Sequence, residues 1–287
     1  MTINLGPAEK AEVLIESLDW LKRFRGETIV VKFGGNAMVD DALQKAFAED
    51  MVYLRHVGID AVVVHGGGPQ ISARLKQLGI ESEFRGGYRV TTEESIAVIR
   101  DVLSGTISAE LAANINEHGD LATVLPGETV FVGEKRGDLG LVGDVTQVET
   151  GPIHEVLEAG RIPVISSVAL GVEGFLNVNA DAAASALAIA LGAAKLIVLT
   201  DVAGLYSDWP NRESLVSVIA ADELRALLPS LESGMIPKMT ACLDAVDGGV
   251  AKAAIIDGRT PHSILLEVFT TSGIGTEVIP SKKDWPA

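Results

Sequence analysis

Apolar runs of strand length alternate with segments of helical periodicity along most of the chain. Strands are predicted near residues 28–33, 60–65, 162–167, 195–200 and 253–256. Helical segments fall between most of them, and this alternation is typical of a largely parallel sheet with helices on both faces. The pattern therefore predicts an α/β protein, a three-layer α-β-α sandwich with a largely parallel central sheet, preceded by an N-terminal helix.

The N-terminal helix is predicted over about residues 9–24, because Leu14, Leu18 and Leu21 fall on one of its faces. An apolar stripe of this kind is stable in water only when a partner covers it. Nothing in the remaining pattern obliges the helix to fold back on its own subunit. We therefore expect it to mediate self-association.

Glycine and turn residues subdivide the rest of the chain. Within residues 120–150, glycines punctuate short β-prone pieces, which predicts a hairpin inserted at the edge of the sheet. Turn residues at 171–174 mark a candidate boundary between two lobes. The predicted units are the N-terminal helix (residues 1–26), an N-terminal lobe (27–172) and a C-terminal lobe (173–287).

Composition narrows the class of protein and its partners. The chain has 287 residues, 47% of them apolar, so it can bury a sizeable core. Its net charge of −16 argues against nucleic acid and an anionic membrane as partners. Acidic residues interrupt the N-terminus where a signal peptide would be apolar, and the apolar stretch 182–194 is too short to span a bilayer. The single cysteine, Cys242, allows no intrachain disulfide, and the expected location is the cytoplasm.

Two predicted strands end in glycines that favour an anion site. One run ends in 66–68, three consecutive glycines followed by proline, and the other ends in Gly34 and Gly35, with Lys32 just ahead. Without Cβ atoms, such residues let backbone N–H groups approach an anion, and a following helix adds its N-terminus. An isolated triple glycine could equally be an ordinary turn. The recurrence at two strand ends favours one shared site for a phosphate or carboxylate.

The second half of the chain carries further polar turns. Asn177, Asn179 and Asp181 cluster at the start of an alanine-rich helix, where Asp181 could also be only an N-cap. Residues 199–204 repeat the arrangement of a strand followed by a polar turn. Lys238 follows a glycine loop, although a lone lysine there is usually a solvated helix residue.

Together these segments resemble the amino acid kinase family, and within it the enzymes that phosphorylate N-acetyl-L-glutamate. The resemblance runs nearly end to end and rests on motifs in family order. They are residues 31–38, 65–71, 87–91, 177–181, 199–205 and 233–238. It implies an amino acid kinase fold and ATP-dependent transfer of a phosphoryl group to the side-chain carboxylate of N-acetyl-L-glutamate, in arginine biosynthesis. The N-terminal lobe would bind the acyl substrate and the C-terminal lobe the nucleotide.

The resemblance also implies a role for each motif residue. Lys32 and Lys238 would stabilise the transferring phosphoryl group, with Asp181 orienting both lysines. The implied phosphate-binding residues are Gly34, Gly35 and Gly67, and the implied substrate-binding residues are Gly67, Gly68, Arg89, Asn177 and Asn179. The implied nucleotide-binding residues are Thr200, Asp201, Gly234 and Met235. ATP would carry Mg²⁺ mainly on its phosphates, so no metal ligands of the protein are expected. Because the nucleophile is an ionised carboxylate, charge neutralisation and positioning should dominate the chemistry.

Two terminal features resemble the arginine-inhibited branch of this family. One is the N-terminal helix, with Trp20 where that branch has an aromatic residue. The other is the segment 261–273, in which His262, Glu267 and Gly273 match the arginine-binding residues. The resemblance implies inhibition by L-arginine and a homohexamer assembled through the N-terminal helices. The alternative is a surface helix and an ordinary C-terminal strand.

The chain departs from the family pattern between about residues 104 and 140, where a glycine-rich stretch is replaced and the following hairpin is shortened. The departure leaves other functions open. One alternative is a kinase for N-acetyl-aminoadipate or carrier-linked glutamate, and another is a non-catalytic arginine sensor. Residues 66–71 lack the final glycine of a nicotinamide-binding fingerprint, and no P-loop motif occurs.

Overall fold

Helices and strands alternate along residues 6–281, the part of the chain that the computed structural model describes. The helices are α1 (Pro7–Phe24), α2 (Asp41–His56), α3 (Gly68–Gln77), α4 (Glu93–Arg100), α5 (Ser108–Asn116), α6 (Gly151–Glu158), α7 (Ala180–Ala190), α8 (Ala221–Leu227), α9 (Ile236–Asp247) and α10 (Ser263–Phe269). A π-helical segment, Asp101–Ile107, joins α4 to α5, and short 3-10 segments lie at Gly35–Val39, Gly127–Thr129, Arg212–Ser214 and Leu228–Ser230.

The strands form one large sheet and two smaller ones. They are β1 (Thr28–Phe33), β2 (Asp60–His65), β3 (Phe84–Arg85), β4 (Tyr88–Arg89), β5 (Ala122–Leu125), β6 (Phe131–Lys135), β7 (Val142–Val148), β8 (Ile162–Ser166), β9 (Val168–Gly171), β10 (Gly174–Val178), β11 (Lys195–Thr200), β12 (Val218–Ala220), β13 (Lys252–Asp257) and β14 (Thr276–Ile279). The large sheet has eight strands in the order β12-β14-β13-β11-β1-β2-β8-β5. Its pairs are parallel except β13 with β14. The predicted strands are confirmed as members of a largely parallel central sheet.

Strand β1 lies at the centre of the sheet, and its side chains point alternately to the two faces of the sheet. Ile29 and Val31 join the core cluster that contains the apolar side chains of α2 and α5. Val30 joins the cluster on the other face, under α7 and α9. Because side chains in a strand alternate with period two, Lys32 is directed to the same face as Val30. The helices on both faces confirm the three-layer sandwich.

A separate four-stranded barrel stands where the sequence analysis expected a hairpin at the sheet edge. Strands β6 and β7 do pair as an antiparallel hairpin, but they close a barrel with β9 and β10 in the order β10-β7-β6-β9. The edge of the large sheet is β5 instead. The expected position of the hairpin was therefore wrong, because the alternation of β6 and β7 does not show which strands they pair with. The turn at 171–174 connects β9 to β10 within this barrel.

Helix α1 leaves part of its apolar face uncovered. Trp20 and Leu21 pack against the core, and Phe24 is buried. One turn or more earlier, Leu14 is 69% exposed and Ile15 70% exposed. The first and last predicted units extend over residues 1–5 and 282–287, which lie outside the described residues. Between residues 6 and 281, no helix has both the length and the apolar character needed to cross a membrane.

Candidate active site

A cavity of about 310 Å³ opens beside the carboxyl ends of β1 and β2. Its lining includes the predicted residues Lys32, Gly34, Gly35, Gly67, Gly68, Arg89, Asn177, Asn179 and Asp181. The glycine turns after these two strands both line the cavity, as expected for neighbouring parallel strands. The structure therefore brings together most of the site residues that the sequence analysis singled out.

Asp181 lies between two lysines at the edge of this cavity. Its Oδ1 is 2.9 Å from the Nζ of Lys32, and its Oδ2 is 3.1 Å from the Nζ of Lys238. Asp181 stands in the first turn of α7 and Lys238 in the first turn of α9, the two helices that cover the face to which Lys32 points. The alternation of β1 thus explains why three residues distant in sequence meet.

The charges in this cluster shift each other's ionisation. Burial by itself would raise the pKa of Asp181, but the ammonium groups of Lys32 and Lys238 hold it at about 2. Burial lowers the pKa of Lys32, and the carboxylate of Asp181 opposes that shift. Asp181 is therefore a carboxylate at neutral pH, held between the side chains of Lys32 and Lys238.

Asn179, not Asp181, is the N-cap of α7. The Oδ1 of Asn179 accepts hydrogen bonds from the backbone N–H groups of Asp181 and Ala182, at 2.8 and 3.0 Å. This arrangement overturns the alternative in which Asp181 acts only as a cap. It also leaves less of the Asn179 side chain for a ligand. Asn177 points its Nδ2 to the Oγ1 of Thr91, 3.1 Å away, at the cavity wall.

Arg89 supplies a buried cation on the opposite wall. The residue is 7% exposed, and its guanidinium lies 4.6 Å from the ring centroid of Phe84. It donates hydrogen bonds to the hydroxyl groups of Ser82 and Ser72 and to the carbonyl of Gly68. Burial lowers its pKa. All these partners are neutral, so the charge of Arg89 is available to an anion in the cavity.

The turn after β1 is tied to Asp201. Gly35 has a φ of 77°, and a Cβ there would lie 2.6 Å from the Oδ1 of Asp201. The same carboxylate oxygen accepts a hydrogen bond of 2.7 Å from the backbone N–H of Asn36. Asp201 therefore fixes this glycine turn, and only a residue without a side chain fits at Gly35.

A second cavity, of about 220 Å³, lies in the C-terminal half. Of the predicted nucleotide-binding residues, Met235 lines it, whereas Thr200, Asp201 and Gly234 do not. Its other walls include Leu205, Tyr206, Trp209, Leu227 and Leu231. The sequence analysis missed these residues; the aromatic pair in the segment 206–209, whose ring centroids lie 5.2 Å apart, was the available signal.

Three of the four predicted effector residues share a small cavity of about 60 Å³. Trp20, Glu267 and Gly273 line it, together with Lys195 and Lys252. Both lysines form ion pairs with Glu277. Glu267 is already paired with Lys195, at 2.7 Å. His262 lies elsewhere, with its Nδ1 2.7 Å from the Oδ1 of Asp50.

Comparison with known proteins agrees with this geometry. The sequence model of the amino acid kinase family matches residues 27–257. A protein described as acetylglutamate kinase, from Leifsonia xyli subsp. xyli (strain CTCB07), is 65% identical over 284 residues, which cover 94% of each chain.

Solved structures show the same fold. An N-acetylglutamate synthase from Neisseria gonorrhoeae, complexed with coenzyme A and N-acetyl-glutamate, has a TM-score of 0.83 and 25% identity over 94% of this chain. The match spans 63% of the length of that synthase. A carbamate kinase from Giardia lamblia bound to AMP-PNP has a TM-score of 0.65 and 18% identity, covering 89% of this chain and 99% of its own.

Proposed function

The chain belongs to the amino acid kinase family, and from this premise we propose that it phosphorylates the side-chain carboxylate of N-acetyl-L-glutamate with ATP, as a step of arginine biosynthesis. The relative from Leifsonia supports the substrate, since it is described as an acetylglutamate kinase and is matched over 94% of its length. The related synthase structure, complexed with N-acetyl-glutamate, supports the same acyl ligand.

The observation that carries the proposal is the pair of lysines held by Asp181 beside the glycine turns. A carboxylate nucleophile is already ionised, so the reaction needs no general base. The obstacle is the repulsion between that anion and the γ-phosphoryl group of ATP. Lys32 and Lys238 would neutralise charge on the transferring group, and the N–H groups of Gly35 and Gly67 would donate to its oxygens.

Arg89 would hold the α-carboxylate of the acyl substrate. Its guanidinium can form two parallel hydrogen bonds to a carboxylate, and its present partners leave its charge uncompensated. Asn177, Asn179 and Gly68 line the same cavity and would complete the contacts. We assign this cavity to the acyl substrate.

The cavity lined by Tyr206, Trp209 and Met235 would receive the adenine of ATP. Its walls come from residues 202–235, whereas the walls of the acyl cavity come from both sides of position 172. This difference supports the proposed lobe 173–287 for the nucleotide. The acyl substrate, proposed for the lobe 27–172, would also touch residues of the second lobe, such as Asn177 and Asn179. Mg²⁺ would enter as part of the nucleotide substrate, bound to its phosphates.

An ATP-dependent hydroxamate assay tests the proposal, because hydroxylamine traps the acyl phosphate product. The substrates to compare are N-acetyl-L-glutamate, glutamate, aspartate and N-acetyl-aminoadipate. The expected result is turnover with N-acetyl-L-glutamate at a kcat/KM well above the other three. Preference for N-acetyl-aminoadipate would assign the alternative substrate, and no turnover with any of them would refute the kinase proposal for these substrates.

We further propose that L-arginine inhibits the enzyme through the cavity that contains Trp20, Glu267 and Gly273. A guanidinium entering there would compete with Lys195 for Glu267 and would press on Trp20, which belongs to α1. The exposed Leu14 and Ile15 support a role of α1 in assembly, as the proposed hexamer requires.

Arginine titration and light scattering on the full chain and on a variant lacking residues 1–25 test this regulation. The truncated protein is expected to form a smaller oligomer and to be inhibited less by arginine. By linkage, arginine and N-acetyl-L-glutamate should weaken each other's binding. A full-length protein that is a dimer and is unaffected by millimolar arginine would refute this part and leave the kinase proposal intact.

A further inference from the structure

The π-helical segment Asp101–Ile107 packs directly on the turn that follows β2. A Cβ added to Gly67 would lie 2.8 Å from the Cδ2 of Leu103 and would also collide with the side chain of Ile107. Both residues belong to the π-helical segment. Single-turn π-helical insertions in α-helices are rare and frequently occur at functional sites. Here the insertion closes one side of the glycine turn.

His65, the last residue of β2, reaches the same turn from below. It is fully buried, with its Nδ1 2.9 Å from the carbonyl oxygen of Gly66 and its Nε2 2.7 Å from the Oγ of Ser108. A carbonyl oxygen can only accept a hydrogen bond, so Nδ1 must carry the proton. In the neutral ring Nε2 is then an acceptor, and the Ser108 hydroxyl donates to it.

The rest of the network agrees with that tautomer. The Oγ of Ser108 also lies 3.0 Å from the carbonyl oxygen of Leu103. That carbonyl already accepts the backbone N–H of Ser108 across the π-helical turn, whereas within the described residues Nε2 of His65 has no other donor, so we assign the single hydroxyl proton to Nε2. Burial lowers the pKa of His65 to about 4, which keeps the ring neutral at physiological pH. One N–H and one O–H therefore satisfy both ring nitrogens.

The peptide between Gly66 and Gly67 links the His65 hydrogen bond to the cavity. The carbonyl of Gly66 and the N–H of Gly67 belong to one planar trans peptide and point in opposite directions. Fixing the carbonyl on His65 therefore fixes the direction of the Gly67 N–H. Gly67 lines the acyl cavity, and within residues 6–281 its N–H has no hydrogen-bond acceptor.

We propose that His65 is a positioning residue that aims the Gly67 N–H at the transferring phosphoryl group, and that Ser108, placed by the π-helical segment, holds its imidazole in the Nδ1–H tautomer. This inference rests on the proposed phosphoryl transfer. His65 touches no substrate in this scheme. It acts through the Gly66–Gly67 peptide, with the side chains of Leu103 and Ile107 closing the other side.

Kinetics of paired variants test the role of the Nδ1–H group. His65→Asn retains a donor near the position of Nδ1, whereas His65→Leu fills space without one. We expect His65→Leu to lower kcat roughly 10- to 100-fold, the effect of a misplaced contact, and His65→Asn to recover a large part of that loss. The KM for ATP should change much less in both. Equal kcat values for the two variants, whether high or low, would overturn the proposal.

Ser108→Ala tests the second link, with Ser185→Ala as its matched control. Ser185 is also a buried helix serine, but within the described residues its hydroxyl has no hydrogen-bond partner. Ser108→Ala is expected to lower kcat, and to cause no further loss when His65 is already Asn, because Ser108 acts through the ring. Additive losses in the double variant would contradict the proposal. Thermal unfolding of every variant identifies any that fail to fold.

Nitrogen NMR of the histidine-labelled protein reads the tautomer without any assay. His65→Asn identifies the resonances of His65. The wild-type ring should be protonated at Nδ1 from about pH 6 to about pH 8, and Ser108→Ala should introduce the Nε2–H form. An Nε2–H ring in the wild type would overturn the inference. An inactive wild-type protein would count against the proposed function instead, whereas an active one with unaffected variants counts against His65 alone.

Discussion

The substitution Asp181→Asn removes the carboxylate that lies between Lys32 and Lys238 and nearly preserves its shape. Folding lowers the pKa of this carboxyl from 3.8 to about 2. Each pKa unit corresponds to about 1.4 kcal/mol, so the charge contributes on the order of 2 kcal/mol to stability at neutral pH. Because the pKa is lowered on folding, this contribution is present above about pH 4 and is lost as the pH falls towards 2.

The variant should lose at least this amount at neutral pH. Removing one member of a buried ion pair leaves the remaining charge uncompensated, which costs about 3–5 kcal/mol. Urea unfolding at neutral pH measures the loss. Asp247→Asn is the matched control, since Asp247 pairs with Arg225 at 2.5 Å on the surface, and such pairs contribute about 0–1 kcal/mol.

The substitution Asp181→Asn should also change the pH dependence of kcat. Burial already lowers the pKa of Lys32, and loss of the opposing carboxylate lowers it further. The lysine of the variant should therefore lose its proton at a lower pH than the lysine of the wild type. The alkaline fall in kcat should begin at a lower pH in the variant than in the wild type. A variant as stable as Asp247→Asn, with wild-type kcat and an unchanged pH profile, would refute the reasoning.

Four further substitutions test the remaining walls of the site. Lys32→Met and Lys238→Met should each lower kcat roughly 100- to 1,000-fold, because each removes a donor to charge that develops in the transition state; wild-type turnover of either in the hydroxamate assay would contradict the assignment. Arg89→Lys keeps a cation but loses the planar guanidinium that can form two parallel hydrogen bonds. The KM for N-acetyl-L-glutamate should therefore rise roughly tenfold with little change in kcat. A change in kcat alone would argue against binding of the substrate carboxylate by Arg89. Gly67→Ala should lower both kcat and the unfolding midpoint, since its Cβ meets the π-helical segment; Gly68→Ala, whose Cβ meets nothing within 4 Å, is the stability control.

The family resemblance implied that Lys32, Asp181 and Lys238 meet, whereas the strand pattern alone predicted only that Lys32 and the two glycine turns share one site. Strand ends in parallel sheets converge on one edge, so residues just beyond β1 and β2 had to be neighbours. The identity of the N-cap of α7 was less accessible, because Asn179 and Asp181 are both good capping residues and lie two positions apart. Only the structure shows that Asn179 caps the helix and leaves Asp181 to the lysines.

Other parts of the structure had no readable signal. The π-helical segment follows α4 with no residue pattern that would predict it, and its side chains Leu103 and Ile107 lie against the glycine turn. The segment 261–273 allowed a strand in the sequence analysis, whereas the structure forms α10 over Ser263–Phe269. His262 precedes this helix with a φ of 59° and contacts α2, so it stands apart from Glu267 on the helix itself.

The continuous sheet has a mechanical consequence for the two proposed lobes. Strand β1 belongs to one of them and β11 to the other, yet they are joined by a parallel ladder from the pair Ile29 and Lys195 to the pair Lys32 and Val198. A hinge between the lobes would have to break this ladder at the centre of the molecule. Lys32 and the helices that carry Asp181 and Lys238 therefore all pack on one continuous sheet, which holds them in fixed positions relative to one another. An arriving substrate meets the charged cluster already assembled. Any closure around the substrate must come from elements outside the large sheet, such as the β3–β4 hairpin, which carries Arg89.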